Sequence, residues 1–230
     1  MGLLPKYKIE ELKREKREAK AAKKRKENTR SKIVRFLIVC EGSRTEPNYF
    51  QALVRDRYSE VRDEKIVGEG KSTCALVKRT LQIKDELERK RQLPFDRVWV
   101  VFDKDDFTDF NEAIKLAASY SFQSAWTNEA FELWYFLHFQ YLDAGISRHD
   151  YIEKLQSEIR KHPGYENYEY KKNDTSVYKM LTTIGNEDLA KRYAERLRSF
   201  FEGDEDYKEH KPCTTVDLLV TELENPEKFL

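Results

Sequence analysis

The 230-residue chain reads as an α/β protein with a mainly parallel sheet flanked by helices. Three observations predict this. The runs Val34–Cys40 and 98–102 are rich in Val, Leu, Ile and aromatics and end on charged or turn residues, as strands buried on both faces do. Helical patterns alternate with these runs from 33 to 140. Each run also stops on carboxylates, Glu41 after the first and Asp103 and Asp105 after the second. In open α/β sheets the carboxyl ends of the strands form the crevice where ligands bind.

The elements follow in order. Residues 1–31 are dominated by Lys, Arg and Glu, which favour helix but supply no recurring apolar face. They read as a basic arm, either a solvated tail or a contact for nucleic acid or a partner. After the first strand, Thr45 can cap a helix with Pro47 in its opening turn, continuing through Tyr58. Residues 64–67 suit a short strand. From Ser72 to Arg91, Leu76, Val77, Leu81, Ile83 and Leu87 form one helical stripe. Pro94 separates that helix from the strand at 98–102. A helix over 109–120, with Asp106 or Thr108 as its cap, and a short strand over 123–127 come next. Asn128 then caps a largely buried helix running to Phe139. The remaining helices are expected at 148–161, 175–183, 186–201 and 214–223. The resulting organisation is an arm (1–31), an α/β core (32–145) and a helical C-terminal extension (146–230) packed on that core.

Composition narrows the classes. Charged residues make up 37%, hydrophobic residues 39% and aromatics 13%, so a real core coexists with heavily solvated helix faces. The formal net charge is only +1, yet the stretch from Lys6 to Lys32 leaves the remainder acidic. Three scattered cysteines, Cys40, Cys74 and Cys213, fit neither a disulfide framework nor a zinc motif. No signal-peptide pattern and no bilayer-length apolar run occur, so the expected location is the cytoplasm, away from membranes.

The chemistry-bearing positions are few. Glu41 precedes Gly42, which permits a tight turn, and a helix whose N-terminus could receive phosphate. Alternation puts Asp103 and Asp105 on one side of an extended chain, where both could address one cation. Mg²⁺ takes few protein carboxylates and keeps waters and substrate phosphate, so Glu41, Asp103 and Asp105 together suit it, or Mn²⁺. Glu132 lies among Phe131, Trp134, Tyr135 and Phe136, and burying it unpaired would be costly. It either pairs with a structural cation or reaches the metal crevice. Lys172, in Tyr170-Lys171-Lys172-Asn173, is a candidate for stabilising transition-state charge. His138 reads as a core or helix-end histidine. The stretch Gly68-Glu69-Gly70-Lys71-Ser72 lacks the spacing of a nucleotide-binding phosphate loop.

Three stretches carry a family resemblance. They are Val39-Cys40-Glu41-Gly42-Ser43-Arg44-Thr45-Glu46-Pro47-Asn48-Tyr49-Phe50, Phe102-Asp103-Lys104-Asp105, and Asn128-Glu129-Ala130-Phe131-Glu132-Leu133-Trp134-Tyr135-Phe136-Leu137-His138-Phe139. Here the chain resembles the RloB family, whose core is similar to a Toprim domain, over roughly 33–223. The Toprim likeness implies a Glu after the first strand and Asp-x-Asp after a later one, matched by Glu41, Asp103 and Asp105. Ser43-Arg44-Thr45-Glu46 departs from the usual acidic continuation, leaving open whether Glu46 assists the metal or caps the helix. The resemblance implies phosphodiester chemistry with a divalent metal, in restriction or phage-defence loci that often include an ATPase. The expected activity is a Mg²⁺- or Mn²⁺-dependent nucleic-acid phosphodiesterase. In it Asp103 and Asp105 hold the ion, and Glu41 binds through water or acts as general acid/base. The alternative is a non-catalytic adaptor that binds an ATPase partner or nucleic acid. A phosphatase of the haloacid-dehalogenase type would leave Glu41-Gly42 unexplained.

Overall fold

The computed structural model describes residues 8, 10, 13–18, 20, 33–58, 62–70, 73–105 and 107–230. Lys71, Ser72 and Asp106 lie outside the described residues, as does much of the basic arm. The chain divides into two compact units, 1–33 and 34–230. In the first, residues 13–18 are helical and exposed, with Arg14 3.5 Å from Glu18 one turn on.

The second unit is built on a four-stranded, all-parallel sheet. Its strands are β1 (Val34–Cys40), β2 (Arg62–Gly68), β3 (Arg97–Lys104) and β4 (Gln123–Asn128), in the order β2-β1-β3-β4. Helix α1 (Thr45–Arg57) connects β1 to β2, α2 (Thr73–Arg91) connects β2 to β3, and α3 (Phe110–Ser119) connects β3 to β4. Then follow α4 (Glu132–Leu137), α5 (Arg148–Ile159), α6 (Val177–Ile184), α7 (Glu187–Ser199) and α8 (Val216–Glu224).

Alternation along the strands explains the layering. Val34, Phe36, Ile38 and Cys40 of β1, with Trp99 and Val101 of β3, face α1 and the helices α4 to α8. Leu37 and Val39, with Val98, Val100 and Phe102, face α2 and α3. Both sides of the sheet are therefore buried, which is why β1 and β3 read as unbroken apolar runs. The C-terminal helices join the same core: Tyr151, Leu155, Leu181, Ala194 and Leu219 cluster with residues of β1 and α1.

The chain leaves β1 over one face and β3 over the other, since α1 and α3 lie on opposite sides. The loops after β1 and β3 consequently diverge and open a crevice at the carboxyl ends of these two adjacent strands. Alternation carries Asp103 onto the same face as Trp99 and Val101, toward α4.

Several expected boundaries differ. Asn128 caps no helix: it is the last residue of β4, and its side-chain amide donates to Lys208 O at 2.9 Å. Glu129 follows with φ +76°, a left-handed conformation that breaks the chain direction, so the helix begins only at Glu132. Thr45 does not cap α1 either. Arg44 holds the N-cap position, and Thr45 Oγ1 donates to Lys172 O at 2.9 Å. Asp109, not Thr108, sits at the N-cap of α3, while its carboxylate accepts from Cys74 N–H at 3.2 Å and caps α2. The strand expected at 64–67 extends over Arg62–Gly68. No helix among the described residues is long and apolar enough to cross a membrane.

Candidate functional site

Glu41 is fixed by its backbone on both sides. Its N–H donates to Val101 O of β3 at 2.8 Å, and its carbonyl accepts from Gly70 N–H at 2.9 Å. The side chain turns along β3, where Oε2 accepts from Asp103 N–H at 3.1 Å. Two carboxylates 62 positions apart in sequence thus become neighbours. Gly42 leaves room for Glu46, because a Cβ there would land on the Glu46 carboxylate, which folds back over it. Gly68 of β2 leaves room in the same way: a Cβ would come within 2.6 Å of Gly42 O.

Asp103 Oδ2 accepts from Phe131 N–H at 3.0 Å, a donor presented by the turn after Glu129. Glu132, the first residue of α4, takes the Tyr170 hydroxyl on Oε1 at 2.8 Å. Its direct partner is therefore a phenol and not the structural Lys or Arg considered from sequence. Glu132 also lines the crevice, in company with Glu41, Glu46, Asp103, Asp105, Arg44, Arg148 and Lys172 around a cavity of about 270 Å³. All five sequence-selected positions, Glu41, Asp103, Asp105, Glu132 and Lys172, meet there. His138 stands apart, buried at the end of α4 with Nδ1 2.9 Å from Trp134 O.

The cavity carries five carboxylates against three cations. Burial, opposed by the Asp103 N–H and reinforced by the charges of Asp105 and Glu46, pushes Glu41 up to about 7. Burial also raises Asp103 well above the ordinary carboxylate range, and Glu46 and Glu132 add to it while Arg148 and the Phe131 N–H pull it down. Glu46 is raised by burial and by Glu132, with Lys172 and Arg148 opposing. Negative charge is thus concentrated where it is poorly solvated, and a further cation would relieve it.

Of two further participants, one was ambiguous in the sequence and the other was not legible as a site residue. Glu46, read as a helix cap or metal aid, is 6% exposed and directed over Gly42 into the cavity. Arg148 was read only as the start of a helix. Ser147 caps that helix through a capping box with Asp150, which fixes the first turn. From there Arg148 Nη2 reaches Asp105 Oδ1 at 2.6 Å, Asp103 Oδ2 at 3.4 Å and Glu129 O at 3.0 Å. The Ser-x-x-Asp box signals the helix start but carries no information about where the Arg points.

The donors in the cavity are carboxylates, without His or thiolate, which suits a hard divalent cation such as Mg²⁺ or Mn²⁺. Among the described residues no group of three or more His, Cys, Asp or Glu is so placed that it could hold a metal ion as the side chains stand. Arg148 spans the two aspartates, and one oxygen of Glu41 is engaged by a backbone donor. The donor chemistry fits the ion; the side chains have not closed around one.

No curated protein and no solved structure matches this chain. A family model described as RloB-like protein matches residues 36–223. With that match spanning β1 to α8 and the whole crevice, the chain belongs to the RloB-like family.

Proposed function

We propose that this RloB-like protein is a divalent-metal-dependent nucleic-acid phosphodiesterase with a Toprim-like core, acting in restriction-type antiviral defence. The observation that carries the reading is the meeting of Glu41 with Asp103 and Asp105 at the carboxyl ends of adjacent parallel strands. Asp103 and Asp105 would hold Mg²⁺ or Mn²⁺, with Glu41 beside them and Glu132 and Glu46 behind. When bound, the ion supplies charge neutralisation at the phosphate and lowers the pKa of an attacking water.

The protein's own contributions follow from the geometry. Glu41 is held by backbone bonds on both sides, so its carboxylate stays within reach of the reacting phosphate without rearrangement. Its free oxygen can accept or return a proton there. Lys172, exposed at the cavity wall and tied by its carbonyl to Thr45, offers an ammonium to phosphate oxygens. Tyr170 orients Glu132 from behind. The basic stretch before β1 would add sequence-independent phosphate affinity that weakens as salt rises.

Incubation of the protein with DNA and RNA in Mg²⁺ or Mn²⁺ tests the reading. Cleavage should appear with metal and fall by about 100-fold or more in Glu41→Ala and Asp103→Ala, the scale of losing an acid–base or charge-stabilising group. Activity unaffected by both substitutions would reject it. A second reading is a non-catalytic adaptor for an ATPase partner or nucleic acid. It draws on the Arg148 bridge, which contacts both aspartates without metal. Nucleic-acid or ATPase binding without cleavage under any metal would favour it.

A further inference from the structure

We infer that Arg148 holds the place of the divalent cation in the metal-free protein, and turns to a substrate phosphate once Asp103 and Asp105 are given to the ion. The inference rests on the metal-dependent reading above and adds to it a named competitor for the metal.

Arg148 is used differently from Arg198 and Arg97. A guanidinium is a planar fork with five donors, and a permanent pair places two nitrogens on one carboxylate. Arg198 does this, with Nη1 and Nη2 on the two oxygens of Asp217 at 2.5 and 2.8 Å. Arg97 does it too, with Nε and Nη2 on Glu222 at 2.5 and 2.7 Å. Arg148 does the opposite: its single Nη2 is shared between two aspartates and a carbonyl. Its Nε is buried without a hydrogen-bond partner. One charged nitrogen lying between Oδ2 of Asp103 and Oδ1 of Asp105 imitates a point cation and forgoes the fork.

Of the two aspartate contacts, the one to Asp105 is the easier to release. Asp105 keeps 38% of its side-chain exposure, so its pair with Arg148 is solvent-screened and costs little to break. The capping box anchors the backbone at Ser147, and rotation of the side chain alone moves the guanidinium. Freed from the aspartates, the fork is still at the cavity wall, where a phosphodiester supplies the two-oxygen acceptor that it lacks.

Mn²⁺ titration of the full chain, followed by the free-ion resonance signal, tests the exchange. Arg148→Ala should bind Mn²⁺ about tenfold more tightly than wild type, the worth of one charge-assisted contact no longer displaced. Millimolar guanidinium, far below denaturing levels, should restore the weaker wild-type affinity in that variant. Lys172→Ala removes a positive charge from the same cavity without freeing either aspartate, and should tighten Mn²⁺ less. Arg148→Lys keeps the stem and charge; it should give a smaller gain, and supplies the readout if the alanine variant does not fold. With Ca²⁺ present, Arg148→Ala should hold a labelled oligonucleotide several-fold less tightly than wild type.

Equal or weaker Mn²⁺ binding in both Arg148 variants would overturn the inference while leaving the metal site standing. So would equal tightening in Lys172→Ala, absence of guanidinium rescue, or unchanged oligonucleotide affinity. Mn²⁺ bound by none of the proteins would remove the metal reading and this inference together.

Discussion

Two sets of buried carboxylates in this protein are treated in opposite ways. On α8, Asp217 and Glu222 are 4% and 2% exposed, and each receives an arginine fork, from Arg198 and Arg97. Trp99 Nε1 adds a bond to Glu222 at 3.0 Å, and Arg198 also ties down Thr214 O at 2.9 Å. In the crevice, Glu46, Asp103 and Glu132 are 6%, 7% and 3% exposed, yet none has a fork of its own. They share a backbone N–H, a phenol and the divided attention of Arg148. Burial is nearly the same in the two regions, and the neutralisation differs. The lesson is that burial of an acid does not by itself mark function. A buried acid whose charge is left unmet does, because the fold has then kept an unfavourable arrangement that a ligand can relieve.

The contrast can be broken at its strongest point first. Removing one fork, in Arg198→Ala or Arg97→Ala, leaves a carboxylate buried and uncompensated and should cost about 3–5 kcal/mol. Urea unfolding measures it, through a lowered midpoint at unchanged slope. A loss below about 1 kcal/mol would mean that these pairs are ordinary surface contacts.

The crevice should respond with the opposite sign. Asp103→Asn replaces a buried carboxylate held far above its ordinary range by a neutral amide of the same shape. Metal-free stability should rise by about 1–2 kcal/mol while cleavage disappears. Destabilisation comparable to Arg198→Ala would erase the distinction between the two regions.

The smallest effect is a pH dependence at Glu41. Its folded pKa is about 7 against 4.5 for the free side chain, so the folded state holds the proton more tightly than the unfolded state does. Ionised Glu41 therefore penalises metal-free folding above pH 7, and the penalty fades as pH falls from 7 toward 4.5. Reduced for partial exposure, it amounts to about 1 kcal/mol. Glu41→Gln should accordingly be more stable than wild type at alkaline pH, with the gap closing on acidification. A gap that widens on acidification would reverse the assignment. Excess Mg²⁺ should also shrink it, by stabilising only the protein that binds the ion.

How much of this was readable in the sequence depends on what each feature uses. β1 and β3 were legible because burial on both faces writes a continuous apolar run, and the acids at their ends marked the crevice. β2 was seen only in part: Arg62–Gly68 is an edge strand whose sequence opens on charged residues, paired along β1, with Ile66 and Val67 packing on the two sides of the sheet. The helix expected from Asn128 failed because an apolar run has no period that separates strand from helix. Its first residue completes β4, and the left-handed Glu129 turns the chain before Glu132. Arg148, 45 residues beyond Asp103, was invisible as a site residue, since nothing local says which acids a helix-start Arg will meet. Glu46 was ambiguous for a related reason. An acid in the first turn of a helix suits the helix dipole, and only the fold shows it turned over Gly42.

The proposed chemistry requires a divalent ion among the strand-end acids. Crystals soaked in Mn²⁺ and recorded near the manganese edge test this most directly. The expected result is an anomalous peak in the crevice within coordinating distance of Asp103 and Asp105, with Glu41 beside it and the Arg148 guanidinium withdrawn. A crevice with no peak, and Arg148 still lying across both aspartates in saturating Mn²⁺, would contradict it.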